Sequence, residues 1–286
     1  MCLKLSEKID GGIKCLLCPH FCLLKSGQSG KCLVRKANTE EIYLSTYGQL
    51  THIIVEPIEK KPFRYFLSGT KTLSIGSFSC NLSCLFCENF KYSQRNKIKE
   101  TKYFSPLELV SLVIEKNCSS ICMTYNEPII SYEYLLDIAK ECHKSDLKFL
   151  LKTNAYINEK PWNNICKVVD AVNIDWKGTT DNYQKICHSN KEYDTSKKII
   201  YERIKSAYKS GIHVEISIPV FNSELSSNKG FYGFAKFVSS LDKNIPCHLL
   251  KIFPTNKCED LFTTSEKNIK DSYRIFSHFL NRVYSN

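Results

Sequence analysis

The chain has 286 residues, 43% hydrophobic and 24% charged, with a formal net charge of +11, which is the composition of a soluble globular protein long enough for one large barrel or two ordinary domains. No stretch approaches the ~18 uninterrupted apolar residues of a membrane span, and charges at Lys4, Glu7, Lys8 and Asp10 leave no apolar core for a signal peptide, so a cytoplasmic location without membrane partners is expected. Fifteen cysteines, an odd number in a reducing compartment, point to metal ligation or catalysis rather than to a disulfide framework.

Residues 1–34 are loop-like and Cys-rich. Cys15, Cys18, Cys22 and Cys32 fall within eighteen residues, interleaved with Pro19 and Gly30. They form a complete tetrahedral ligand set. Two readings stand side by side: a structural zinc that fastens a core-poor arm, or an auxiliary [4Fe–4S] cluster. Residues 35–70 carry short β-type runs, IYLSTY and HIIVE, and a charged stretch punctuated by proline, VEPIEKKPFRYF. We take 1–70 as a metal-binding N-terminal extension and 71–286 as the main domain.

From residue 72 the pattern changes. Apolar runs at 72–78, 120–125, 147–153, 169–175, 213–220 and 247–253 alternate with helical stretches. One helix starts at SPLE, 105–108, with Ser105 as N-cap, Pro106 at the first helical position and Glu108 closing a capping box. Others span about 131–145, 158–168, 195–210, 230–241 and 264–283. This alternation implies a parallel sheet with helical crossovers, an α/β fold that six units would build into a partial (β/α)6 TIM-type barrel. The chemistry of such barrels sits at the C-terminal ends of the strands. Here those ends deliver SFSC, TYNEP, KTNAY, DWKG, PVFNSE and FPTNKC.

The loop after the first strand, 80-CNLSCLFC-87, holds Cys80, Cys84 and Cys87. Three thiolates suit iron or zinc, but a closed zinc site or an ordinary iron–sulfur site wants four protein ligands. This spacing, with Phe86 before the last cysteine, resembles the radical S-adenosylmethionine (SAM) superfamily. The resemblance implies a [4Fe–4S] cluster held by the three cysteines, its fourth iron chelated by the amino and carboxylate groups of SAM. It also implies reductive cleavage of SAM to a 5′-deoxyadenosyl radical, with electrons from a donor such as flavodoxin or ferredoxin.

Read in that light, Glu127 in TYNEP stands where the family places an acceptor for the SAM ammonium. Thr153 and Asn154 could hold the SAM carboxylate or ribose. Asp175 and Lys177 end strand four, and Lys177 could balance the SAM carboxylate. Phe86 completes the cofactor-side residues.

The ordered set CLLCPHFC, SGKC, YGQL, EPIEKKPFRYFLSG, SIGSFSCNLSCLFCENF, TYNEP, KTNAY, VNIDWKG and HLLKIFP resembles the AmmeMemoRadiSam-system radical SAM enzymes, relatives of pyruvate formate-lyase-activating enzyme. The departures are Glu88-Asn89 where a Gln-Asn pair is usual, Glu56 for an Asp, PVFNSE in place of a Pro-Gly-x-Asn-Asp turn, and Phe253 where a histidine is expected. They lie mostly at the mouth and put the substrate in doubt more than the cofactor.

The resemblance implies hydrogen abstraction from a protein, peptide or small molecule; a glycine Cα of a partner protein is one concrete form and natural-product modification another. The basic charge fits an acidic partner surface. No motif of the nucleic-acid modules is present, so nucleic acid is not expected. A reading of another class is a zinc-stabilised module that binds RNA or protein. Of the remaining cysteines, Cys118, Cys122, Cys142, Cys166 and Cys247 are expected in the core. Cys258 follows strand six, either as a loop residue or as a hydrogen donor. His20 lies inside the four-cysteine motif, where it could support the ligands, and His248 is expected as a satisfied core residue.

Overall fold

The computed structural model describes residues 5–94, 100–178, 182–189, 193–222, 228–254 and 263–285. Cys258 and the ends of PVFNSE and FPTNKC lie outside them. The N-terminal part is a set of small antiparallel pairs. β1 (Ser6–Ile9), β2 (Gly12–Cys15) and β3 (Leu23–Leu24) make one sheet, and β4 (Arg35–Ala37) pairs with β5 (Ile42–Leu44). β6 (Gln49–Leu50) reaches forward to β9 (Lys102–Tyr103).

The HIIVE run becomes β7 (His52–Pro57), which pairs antiparallel with β8 (Lys71–Gly76). The 1–70 segment thus adds an edge strand to the sheet of the main domain. After the one-turn α1 (Phe90–Ser93), strands and helices alternate: α2 (Pro106–Glu115), β10 (Ser120–Met123), α3 (Tyr132–Lys144), β11 (Lys148–Thr153), α4 (Glu159–Ile165), β12 (Ala171–Asp175), α5 (Tyr193–Lys209), β13 (His213–Val220), α6 (Asn228–Leu241), β14 (Cys247–Lys251), α7 (Glu266–Phe279) and β15 (Val283–Ser285).

The strand order is β15-β14-β13-β12-β11-β10-β8-β7, parallel throughout except for β7. The six expected strands stand in chain order in a partial TIM-type barrel. Helices cover the outer face, so β10 is buried throughout and β13 from Val214 to Val220, as parallel strands covered on both faces are.

The α2 capping box forms as its sequence predicts: Glu108 N donates to Ser105 Oγ at 3.3 Å and Ser105 N to Glu108 Oε2 at 2.7 Å. The last helix is shorter than expected. Leu280 is extended (φ −125°, ψ 143°), and the β-prone Val283 and Tyr284 pair with Cys247 and His248.

The N-terminal ends of the strands are plugged by the charged stretch after β7. Phe63 and Ile58, fully buried, pack with Cys122, Leu150 and Ala171. Asn173 Nδ2 donates to Pro62 O at 2.7 Å. The buried Glu215 carboxylate accepts from Arg64 N and Tyr65 N at 2.9 Å each, and meets His213 Nε2 at 2.9 Å and His248 Nε2 at 2.6 Å. His248 is thus paired on one ring nitrogen, while its Nδ1 has no partner among the described residues. With this end sealed, the site is left at the other.

Candidate active site at the open end of the barrel

β8 ends at Gly76, whose backbone is in close contact with Thr124 and Tyr125. A Cβ there would stand 2.9 Å from Thr124 O, so only glycine fits. The chain then turns through Ser79 in the left-handed region (φ 72°) and enters the three-cysteine loop. Asn126, from TYNEP, shapes that turn: its Oδ1 accepts from Ser77 N at 2.9 Å and its Nδ2 donates to Ser79 O at 3.1 Å.

A cleft at the strand C-termini encloses ≈ 960 Å³ of empty space, its open mouth included. Cys80, Cys84, Cys87, Phe86, Glu127, Asn154, Asp175 and Lys177 all line it. Thr153 does not. Its hydroxyl donates to Glu127 Oε1 at 2.6 Å, so it acts on the cleft through that carboxylate. Glu88 and Asn89, the altered pair after the last cysteine, also line the cleft, whereas Phe253 is 59% exposed outside it.

The thiols have donors. Leu82 N donates to Cys80 Sγ at 3.3 Å, and Cys87 Sγ lies 3.1 Å from Ser93 Oγ. Burial pushes Cys80 and Cys87 above the usual thiol range. Cys84 is held below it, first by a hydrogen bond from Cys187 and also by the charge of Lys177. Cys187 is buried, and the backbone ties its segment to the loop: Ser83 N donates to Cys187 O and Leu85 N to Ile186 O, each at 3.0 Å. Nothing in the local sequence marks Cys187 as a neighbour of Cys84.

Glu127 is buried. Besides Thr153 it accepts from Asn154 N at 2.7 Å and Ile129 N at 3.2 Å. Burial nevertheless dominates and pushes its carboxyl up to about 7. Asn154 is held by its neighbours, donating to Asn81 Oδ1 at 2.9 Å and accepting from Tyr156 N at 2.8 Å. Asp175 lies between two cations, Lys152 Nζ at 2.8 Å and Lys177 Nζ at 3.0 Å. Burial opposes its charge, yet the two lysines hold it at about 2. Lys152 also lines the cleft. It is easily overlooked because KFLLKT reads as an ordinary strand whose polar residue faces solvent.

The donor set therefore fits an iron–sulfur cluster with a cationic ligand: three thiols with hydrogen-bond donors on one loop, and facing them a buried carboxylate short of positive charge. Among the described residues, no three Cys, His, Asp or Glu side chains close around one point as they would about a single ion.

The Radical SAM superfamily profile matches residues 74–226, more than half of the chain. The uncharacterized protein MJ0808 of Methanocaldococcus jannaschii is 32% identical over 261 residues, covering 89% of this chain and 75% of that one. A radical SAM methyltransferase from Sphaerobacter thermophilus is similar in structure with a TM-score of 0.56 at 14% identity, over 77% of this chain and 67% of that one. Streptococcus suis SuiB, bound to its precursor peptide SuiA, also has a TM-score of 0.56 at 14% identity, over 80% of this chain and 51% of that one. At such identities the structural likenesses show the fold. The chain belongs to the radical SAM superfamily, enzymes that typically bind a [4Fe–4S] cluster and SAM. No helix among the described residues is long and apolar enough to cross a membrane.

Proposed function

We propose that this protein reductively cleaves SAM and uses the product to abstract hydrogen from a protein, peptide or small-molecule substrate, in the manner of activating enzymes. The observation that carries the reading is the convergence of Cys80, Cys84 and Cys87 with Glu127, Asn154, Asp175 and Lys177 on one cleft. Cys80, Cys84 and Cys87 would hold three irons of the cluster. When bound, the cluster supplies one electron to the SAM sulfonium, giving methionine and the 5′-deoxyadenosyl radical.

The chain's own part is positioning and charge. Glu127, whose ionisation is disfavoured by burial, would gain a partner in the SAM ammonium, and that cation would restore its charge. Thr153 and Asn154 N fix the carboxylate in place. Lys177 would face the SAM carboxylate while Asp175 anchors it, and Phe86, with Lys177 Nζ 5.8 Å from its ring centre, would wall the cleft. The four N-terminal cysteines would hold zinc or a second cluster, within an extension we place at 1–70 before a barrel at 71–286. Flavodoxin or ferredoxin would supply electrons in the cytoplasm.

A peptide substrate is a second reading. The net charge of +11 suits an acidic peptide, and the similar SuiB is bound to a precursor peptide. The test is anaerobic purification, reduction with dithionite and detection of 5′-deoxyadenosine from added SAM. Formation of 5′-deoxyadenosine supports the enzyme. A colourless zinc protein that leaves SAM intact would instead fit a binding module.

A further inference from the structure

Three acceptors converge on Lys152 Nζ: Asp175 Oδ1 at 2.8 Å, Ser217 Oγ at 3.0 Å and Asn173 Oδ1 at 3.1 Å. An ammonium has three N–H donors and no acceptor, so these partners use its capacity in full. They come from two strands, Asn173 and Asp175 from β12 and Ser217 from β13.

The acceptors are oriented from the plugged end. Asn173 Nδ2 donates to Pro62 O at 2.7 Å, which turns Oδ1 toward Lys152. Ser217 Oγ spends its single proton on that same Oδ1 at 2.6 Å and therefore accepts from the lysine. Asn173 and Ser217 are both fully buried. A chain of hydrogen bonds thus runs from the plug to the cleft, and it ends on Asp175.

Asp175 is a shared anion. Its Oδ1 faces Lys152 Nζ, and its Oδ2 faces Lys177 Nζ at 3.0 Å. The three side chains are 21% (Lys152), 24% (Asp175) and 12% (Lys177) exposed, so water screens them only in part. Two ammoniums against one carboxylate leave this wall of the cleft with one net positive charge. The other charged side chains that line the cleft are Glu127, Glu88 and Lys251. Glu127 is held by Thr153 Oγ1, Asn154 N and Ile129 N, and Lys251 pairs with Glu266 at 2.6 Å. Without Lys152, Asp175 and Lys177 would cancel one another, and an entering carboxylate would meet a neutral pair. With it, one positive charge is left for the ligand.

We infer that Lys152 is a positioning residue: it binds one oxygen of Asp175, so that the Lys152–Asp175–Lys177 trio presents one net positive charge to a carboxylate of the bound ligand. For SAM that group is the α-carboxylate. This identification rests on the reading of the cleft as a SAM site; the charge count does not.

The experiment measures equilibrium binding of SAM and of decarboxylated SAM, which keeps the ammonium and the sulfonium but lacks the carboxylate. It uses the full chain reconstituted anaerobically with iron and sulfide. Cluster loading is matched by the electron paramagnetic resonance (EPR) signal after reduction. Lys152→Met removes the charge and keeps the reach of the side chain. It should weaken SAM roughly tenfold, as loss of a charge-assisted contact does, and change decarboxylated SAM less than about twofold. Lys152→Met/Asp175→Asn removes the ion pair as a whole and leaves Lys177 as the single charge. Its SAM affinity should return to within about threefold of wild type, and it decides the matter if the single variant does not fold.

Equal losses for the two ligands in Lys152→Met would show a structural role alone and overturn the inference, as would unchanged SAM affinity. A double variant about tenfold weaker than wild type for SAM would also overturn it. Wild type that binds neither ligand would overturn the SAM reading itself, and with it the assignment of the carboxylate.

Discussion

Two carboxylates are buried at opposite ends of the same barrel, and their acidities move in opposite directions. Glu215, at the plugged end, is held at about 2: burial works against its charge, but His213, His248 and the N–H groups of Tyr65 and Arg64 outweigh it. Glu127, at the open end, is pushed up to about 7, because one hydroxyl and two N–H groups do not offset its burial. The difference is one of completion. The plugged carboxylate is satisfied by the chain's own groups, whereas Glu127 has hydrogen-bond donors but no ion-pair partner among the described residues, as a carboxylate prepared for a cationic ligand would be.

The plugged end should give the largest stability effect. Glu215→Gln leaves two histidines and two N–H groups without their anion, and unfolding free energy at pH 7 should fall by about 3–5 kcal/mol. Because Glu215 lies below its ordinary value, its contribution is present above pH 4.5 and is lost as pH falls toward about 2. Urea titrations between those limits should show a steep acid limb in wild type and a shallow one in the variant. An unchanged limb would break the comparison.

Asp175→Asn comes next. It leaves Lys152 and Lys177 facing each other without their shared anion, at a cost of about 2–3 kcal/mol because the trio is partly open to water. The same titration measures it, and a loss under 1 kcal/mol would mean that solvent screens the lysines.

Glu127→Gln should act with the reverse sign. The raised pKa makes wild-type stability greatest below pH 4.5, with a loss of about 3 kcal/mol as pH rises through 7. The metal-free Gln variant should lack that decline. SAM affinity of the reconstituted enzyme should fall roughly tenfold, since a charge-assisted bond is replaced by a neutral one. Urea titrations of the metal-free proteins from pH 4 to 9 check the first point, and equilibrium SAM binding checks the second. Ser105→Ala, far from either end, should cost only about 1 kcal/mol through the lost cap and leave SAM binding unchanged.

The open end was the more legible of the two in sequence. Its thiols share one loop; the rule that barrel chemistry sits at strand ends selected the segments TYNEP, KTNAY and DWKG, and the superfamily resemblance pointed to Glu127, Asn154, Asp175 and Lys177 within them. Six strands and their helices were legible because each is a local pattern. The partners that tune these groups were not. Thr153 reads as a ligand residue until its hydroxyl is seen on Glu127. Lys152 reads as a strand-surface lysine, and Cys187 meets Cys84 only after β12 and its following loop return to the mouth. The plug was hidden for the same reason. Phe63 enters the barrel from a segment with no periodicity, and HVEISIPV places Glu215 in an apolar run without naming the histidines and backbone groups that satisfy it. A charge inside a buried strand was the available signal.

The central claim is that Cys80, Cys84 and Cys87 carry a cluster that SAM ligates at the open end. The most direct measurement is the EPR spectrum of the anaerobically reduced protein with and without SAM, in wild type and in Cys80→Ala/Cys84→Ala/Cys87→Ala. The account predicts a reduced-cluster signal that SAM alters in wild type, and no SAM-responsive signal in the folded triple variant. A SAM-responsive signal that survives the loss of all three cysteines would contradict it.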